Sequence, residues 1–90
     1  MPLKRPIAKE AEVDESRLDW LYFEMYDDEQ QVWCCVSSEA LKTRAQRDEN
    51  PSETRRQTFD RCREQIEQIA SDNYDKGESQ PSVKSHELNP

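Results

Sequence analysis

The chain has 90 residues, of which 32% are hydrophobic and 37% are charged, and its formal net charge is -7. This length allows at most one domain, and the negative charge disfavours unspecific binding to nucleic acid or to an anionic membrane. The N-terminus is followed by no apolar stretch long enough for a signal peptide or a membrane-spanning helix.

The cysteines indicate a reducing compartment. Cys34 and Cys35 are adjacent and Cys62 stands apart. This odd count and this spacing do not fit the disulfide framework of a small secreted protein. We therefore expect a cytoplasmic protein with free thiols.

Residues 1–17 are predicted to form a flexible N-terminal segment. They are polar, include Pro2 and Pro6, and show no sustained strand or helix periodicity, although a helical turn at residues 10–15 is allowed. The large apolar residues concentrate further along the chain, so a single α+β domain is predicted over residues 18–76.

An antiparallel β-hairpin is predicted from Asp19 to Val36, because aromatic and β-branched residues dominate both of its strands. A two-residue loop at Asp28 and Glu29 places only apolar residues opposite one another on one face. A four-residue loop keeps the same faces and remains an alternative, since no glycine is available for the tighter turn. The predicted apolar pairs are Leu21 with Val36, Phe23 with Cys34, and Met25 with Val32.

The other face of the hairpin carries Trp20, Tyr22 and Trp33. Either the first helix, the N-terminal segment or the C-terminal tail covers these side chains, or they meet another protein. Aromatic residues with a polar atom are typical of protein interfaces, and an uncovered patch of this size on a small monomer would be unusual. The predicted partner is most simply a second copy of the chain, forming a homodimer.

Two helices are predicted after the hairpin. The first helix starts at Ser37-Ser38-Glu39, where a serine accepts hydrogen bonds from the free amides of the first turn, and it runs to about Gln46. Ala40, Leu41 and Ala45 lie on its inner side.

The second predicted helix is long. The sequence Asn50-Pro51-Ser52-Glu53 has the signature of a helix start, and the helix should continue to about Tyr74. Its apolar stripe should cover the hairpin face that contains Phe23. The stripe consists of Phe59, Cys62, Ile66, Ile69, Ala70 and Tyr74.

Residues 77–90 are predicted to form a flexible C-terminal tail. They are rich in serine, proline and glutamate, a composition that favours disorder. A short edge strand at residues 83–88, which would extend the hairpin to a small sheet, is the alternative.

With these residues placed, the chain resembles the bacterial domain-of-unknown-function family 1488 over residues 19–76. The family usually has a glycine in the hairpin turn, where this chain has none. The resemblance implies a small bacterial protein of α+β fold and supplies no activity. It rests on Phe23, on Val32-x-Cys34-x-Val36-Ser37-x-Glu39-Ala40-Leu41, on Phe59-x-x-x-Arg63-x-x-Ile66-Glu67, and on Tyr74.

No residues form a catalytic, cofactor-binding or metal-binding pattern, and no small-molecule substrate is inferred. Cys34 and Cys62 fall on predicted core faces, where cysteine packs as a small hydrophobe. Cys35 lies on the opposite face of its strand, but the predicted domain has no histidine to activate it. The only histidine, His86, lies in the predicted tail, so no convergent zinc ligand set is available. We therefore expect a protein that is not an enzyme.

Residues 42–63 hold seven basic residues against four acidic ones. They are either a solvated helical surface with acidic neighbours or the phosphate-contacting surface of a nucleic-acid-associated regulator; an acidic protein could use the same surface. The sequence thus predicts an interaction or accessory module that self-associates, with the regulator as the alternative. The candidate basic patch comprises Arg44, Arg47, Arg55 and Arg56.

Overall fold

The structure is a computed structural model that describes residues 3–5 and 12–90. The described part contains a four-stranded mixed sheet of spatial order β1-β2-β3-β4, in which only β3 and β4 are parallel. This arrangement confirms the predicted α+β class. In chain order the elements are β1 (Val13–Asp14), β2 (Trp20–Asp27), β3 (Gln30–Ser37), α1 (Ser38–Arg47), α2 (Arg55–Arg61), α3 (Arg63–Asp75), β4 (Ser82–Val83) and α4 (Ser85–Leu88).

The hairpin of β2 and β3 has the predicted register. Phe23 lies opposite Cys34, and the neighbouring apolar pairs follow as expected. Asp28 begins the two-residue loop with a φ of 53°, a left-handed conformation that aspartate adopts more readily than most side chains. The loop therefore forms without the glycine that the favoured hairpin turns prefer.

Helix α1 begins where the sequence predicts. The Ser37 hydroxyl accepts a hydrogen bond from the Ala40 amide at 3.0 Å, which satisfies one of the free donors of the first turn. The inner residues Ala40, Leu41 and Ala45 are buried, as expected.

The second helix begins later than predicted. Thr54 caps it, because its hydroxyl accepts from the Gln57 amide while the Gln57 side chain accepts from the Thr54 amide. This reciprocal capping box satisfies two donors at once. The expected start at residues 50–53 is wrong; Glu53 instead donates its amide to the Asn50 carbonyl in the preceding turn.

The predicted long helix is also two helices. Cys62, with φ -102° and ψ 12°, ends α2 and precedes α3. The apolar spacing cannot reveal this break, because Phe59, Cys62 and Ile66 keep intervals of three and four residues across it. Both helices still contribute to one core: the rings of Phe59 and Phe23 lie 5.2 Å apart between centroids, and Ile66 is fully buried.

The C-terminal residues belong to the fold, so the predicted flexible tail is wrong over 82–88. Strand β4 lies parallel to β3, and Val83 and Leu88 are fully buried in the core. The Cys35 amide donates to the Pro81 carbonyl at 2.9 Å. Val83 and Leu88 thus anchor the otherwise polar segment 82–88 to the core, because each side chain is completely removed from water.

The described part of the N-terminal segment is ordered as well, which corrects the prediction for residues 3–5 and 12–17. Lys4 and Tyr26 exchange backbone hydrogen bonds of 2.8 and 2.7 Å, and β1 pairs with β2 at Phe23 and Tyr22. The helical turn allowed at residues 10–15 falls partly outside the described residues, and β1 occupies two of the remaining positions.

Candidate interaction surface

The sheet has two unlike faces. The helical core residues pack against the face that carries Phe23 and Cys34, whereas the opposite face carries Trp20, Tyr22 and Trp33, each half-buried. We call these three residues the aromatic surface. Alternation along β2 and β3 places them together, since successive side chains of a strand point to opposite faces.

Trp33 lies at one end of the aromatic surface, with Tyr22 between it and Trp20. It is directly opposite Glu24 and diagonal to Tyr22 across the hairpin, within reach for an aromatic contact. Trp33 and Tyr22 line a groove of about 360 Å³ that also involves Asp14, Arg17 and Gln80. The N-terminal segment and the C-terminal segment therefore border the aromatic surface, each at one side.

A second groove lies beside Trp33, along the edge of β3. Its volume is about 500 Å³, and residues 30–33 face residues 77–80 across it, with Tyr74 between them. Trp33 is therefore shared by two adjoining grooves. Tryptophan is one of the residues enriched among those that contribute most to the binding energy of protein interfaces.

The sheet face that carries the aromatic surface, here called the reverse face, also contains the fully buried carboxylate of Glu24. The Gln31 side-chain amide donates to it from the neighbouring strand, as a buried polar group requires hydrogen-bonded partners. Sequence reasoning did not assign Glu24 a role. The sequence feature that could have pointed to Glu24 is its position as an acidic residue between the aromatic and apolar residues of β2.

The cysteines are free and buried. Burial raises the pKa of the Cys34 thiol to about 12 and that of the Cys35 thiol to about 11, so both are protonated at neutral pH. Cys35 is only 6% exposed, although it lies on the reverse face. A protonated, buried thiol is a poor nucleophile and a poor metal ligand.

The four arginines of the candidate basic patch lie in two places and bind the chain itself. Arg44 donates to Asp48 at 2.9 Å and to the Leu88 carbonyl at 3.0 Å, and Arg47 reaches the carbonyl of the C-terminal residue at 3.5 Å. Arg56 pairs with Asp60 at 3.0 Å. These contacts orient three of the guanidinium groups toward protein acceptors.

Arg55 is the most extensively bonded of the four. One of its amino groups donates to the Arg17 carbonyl at 2.8 Å and to the Ser38 hydroxyl at 2.9 Å, and the other donates to the Glu15 carbonyl at 2.9 Å. The rigid fork of guanidinium donors suits this role. Arg55 therefore holds the segment that leads into β2.

Among residues 3–5 and 12–90, no three histidine, cysteine, aspartate or glutamate side chains lie together in a way that could hold a metal ion. No helix in this part of the chain is both long and apolar enough to span a bilayer.

A family model described as "Protein of unknown function (DUF1488)" matches residues 9–85. The chain belongs to the DUF1488 family. The match includes the hairpin, all of α1 to α3 and strand β4, so the DUF1488 description applies to nearly the entire chain. No curated protein and no solved structure matches it.

Proposed function

We propose that this DUF1488 protein is a non-enzymatic interaction module of the bacterial cytoplasm that self-associates through its aromatic surface. The observation that supports the proposal is the position of Trp20, Tyr22 and Trp33 on the sheet face opposite the helical core. These side chains are only half-buried. Removing them fully from water in a dimer would stabilise it by roughly 25 cal/mol for each Å² of apolar surface.

The charge distribution favours this face as the meeting point of two copies. Each copy has a net charge of -7, so two copies repel each other unless they meet where acidic side chains are few. The three aromatic residues are uncharged, and the nearby Glu24 is buried beneath the surface. Asp14 and Arg17 border this surface beside Tyr22 and Trp33, so its exposed charges are of both signs, and an association here buries aromatic area.

Sedimentation equilibrium over a wide range of protein concentrations tests the proposal. We expect the mass to rise from 10.7 kDa toward twice that value, and the variant Trp33→Thr to weaken this association. The matched control is Gln68→Ala, which changes an exposed residue of α3 and should leave the association unchanged. A wild-type chain that stays at 10.7 kDa at the highest concentration contradicts the proposal.

The alternative function, a nucleic-acid-associated regulator, has less support. Arg44, Arg47, Arg55 and Arg56 donate to acceptors of their own chain, which leaves fewer donors for phosphates. Binding to DNA or RNA that weakens steeply with added salt would favour the regulator. No retention on DNA at low salt would exclude it.

A further inference from the structure

Strand β3 has one edge that faces away from β2 and toward the larger of the two grooves beside Trp33, here called the β3 groove, with a volume of about 500 Å³. Asp27 and Gln30 flank the two-residue loop of the hairpin, and residues in that position form a hydrogen-bonded pair. The bonding direction alternates along a strand. The backbone N–H and C=O groups of Gln31 and Trp33 therefore point to this outer edge.

Strand β4 covers only the later part of the same edge. The Cys35 amide donates to the Pro81 carbonyl at 2.9 Å. In a parallel ladder the next bond would join the amide of residue 81 to the Trp33 carbonyl, but proline has no N–H group to donate. The ladder therefore ends at Pro81. Within the part of the chain that the structure describes, the backbone groups of Gln31 and Trp33 have no hydrogen-bond partner.

This free edge lacks the features by which proteins prevent pairing with other chains. Lysine, proline, a bulge or an inward charge are the usual means of protection. Residues 30–34 have the sequence Gln-Gln-Val-Trp-Cys, and their register opposite β2 continues without a bulge. At about 3.4 Å per residue this stretch is about 17 Å long. It can therefore accept a further strand of about five residues through main-chain hydrogen bonds.

The walls of the β3 groove suit a single extended peptide. Residues 77–80 form the wall opposite β3, with Tyr74 between the two walls. A second copy of the chain would bring the β2 strand of its own hairpin toward that wall as well, whereas a peptide strand has no attached neighbour. Val32 and Trp33 lie on opposite faces of β3 and both line the groove, so apolar side chains of a peptide have contacts on either side.

Acidic groups predominate around the β3 groove. Among the described residues that line it, only Glu78 is charged. The residues adjacent in sequence to the lining residues add the carboxylates of Glu29 and Asp75 and the ammonium group of Lys76, which leaves an excess of negative charge. The chain as a whole has a net charge of -7. A basic peptide is therefore attracted to the groove, and an acidic one is repelled.

We propose that the β3 groove binds an extended, basic peptide segment of a partner protein, which joins the sheet as a strand beside residues 30–34. The peptide occupies the edge that β4 leaves free at Pro81, and its backbone pairs with Gln31 and Trp33. Its lysine or arginine side chains approach Glu78. The inference goes beyond the proposed self-association, which concerns the reverse face of the sheet.

Selection from a displayed library of random peptides supplies the probe. Peptides of about eight residues are long enough to cover the free edge. Those that the wild-type chain retains should contain an excess of lysine and arginine, and a fluorescein-labelled copy of the most frequent sequence gives a dissociation constant by fluorescence anisotropy. A library from which no peptide is retained, or from which the retained peptides have no excess of basic residues, overturns the proposal.

Amide hydrogen exchange, followed by NMR, locates the selected peptide on the wild-type chain. The amides of Gln31 and Trp33 should exchange more slowly when the peptide is bound, because its carbonyl groups accept hydrogen bonds from them. The Val32 amide is the internal control, since it already faces β2 and should change much less. Protection that appears elsewhere and not at Gln31 and Trp33 overturns strand addition.

Two N-methylated forms of the selected peptide test its backbone bonds without altering the protein. Methylation of the alternate amides that face β3 should raise the dissociation constant on the order of 10-fold or more, because the hydrogen bonds to the edge are lost. Methylation of the other set, which faces away from β3, should leave the constant near that of the parent peptide. Equal effects of the two sets contradict binding as a strand.

A variant of Glu78 tests the charge preference. Glu78→Gln keeps an acceptor for the Ser82 amide and should weaken binding of the selected peptide several-fold, with a smaller dependence on salt. Glu64→Gln is the matched control, since it changes an exposed carboxylate of α3 that does not line the groove. Equal dissociation constants for the two variants overturn the attraction of basic side chains to Glu78.

This inference and the proposed function can fail separately. A wild-type chain that stays monomeric in sedimentation and yet binds the selected peptide overturns self-association alone. A chain that dimerises but retains no peptide from the library overturns strand addition alone.

Discussion

The backbone amide of Leu3 donates a hydrogen bond to the Ser71 hydroxyl at 3.2 Å, joining residues 68 positions apart in the chain. Leu3 itself is fully buried in the core. Arg5, two residues later, binds the carboxylate of Glu67 through distances of 2.7 and 2.8 Å. Residues 3–5 are thus attached to α3 at Glu67 and Ser71, which lie one helical turn apart.

Shortening Leu3 tests this attachment. Leu3→Ala should lower the free energy of unfolding by about 2–4 kcal/mol, because it removes buried methyl groups and leaves a cavity. Denaturant unfolding gives the value, with Lys4→Ala as the control at an exposed neighbouring residue. A Leu3→Ala variant as stable as the wild type would mean that the N-terminal segment does not pack on the core.

Helix α4 offers a similar comparison between two residues that are two positions apart. Leu88 is fully buried, whereas His86 is exposed. Leu88→Ala should therefore cost about 2–4 kcal/mol of stability, and His86→Ala should cost less than about 0.5 kcal/mol. Equal effects of the two changes in thermal unfolding would contradict the docking of α4.

The Arg61 cluster predicts a loss of stability in acid. Hydrogen bonds from Arg61 and Arg44 lower the pKa of Asp48 below its ordinary value of 3.8. Hydrogen bonds from Arg61 and Thr58 lower the pKa of Glu53 below 4.5. The unfolded chain therefore binds protons at higher pH than the folded chain does. The resulting stability is complete above about pH 4.5 and is lost as the pH falls through the lowered values.

Removing Arg61 should make the unfolding temperature less dependent on pH. Arg61→Gln should unfold at a lower temperature than the wild type at pH 7, and the difference should shrink below about pH 4 as the carboxylates become protonated. Arg56→Gln is the control, since it removes an exposed pair with Asp60 of the kind that adds little stability. A difference that stays constant from pH 7 to pH 3 would exclude this role of Arg61.

The thiols should react slowly in the folded protein. Cys34 and Cys35 are buried, and burial holds the pKa of each thiol near 12 and 11 respectively, so little thiolate forms at neutral pH. Mass spectrometry after treatment with iodoacetamide should show labelling only after unfolding. Rapid labelling of Cys35 in the native protein would contradict its burial and reopen a chemical role for it.

The local elements were predictable because their signals are local. The pairing of Phe23 with Cys34 follows from alternation along two strands, which allows only one parity to bury the apolar set. A serine cap at Ser37 or Ser38 follows from the hydrogen-bonding needs of the first helical turn, and the structure uses Ser37. The same alternation placed Trp20, Tyr22 and Trp33 on one face, so the aromatic surface was also available from the residues alone.

Other features depend on contacts between distant segments, which local patterns do not encode. Whether Leu3, Val83 and Leu88 enter the core depends on the space left beside α3 and β3. The sequence of a polar segment with one apolar residue does not show whether that segment packs on the core. The arginines show the same limit. Their clustering in the sequence allowed either a solvated helical surface or a surface for a partner, and only the folded chain brings Arg55 to the carbonyl of Arg17.

The amino-acid sequence by itself determined the hairpin, its two faces and the first helix, because period, capping and turn chemistry act over a few residues. Tertiary structure alone decided that residues 13–14 and 82–83 join the sheet and that Cys62 divides the second predicted helix. It also decided that Arg55 binds the segment that leads into β2. The physical reason is that burial is a property of the assembled surfaces, since each side chain leaves water only where another segment covers it.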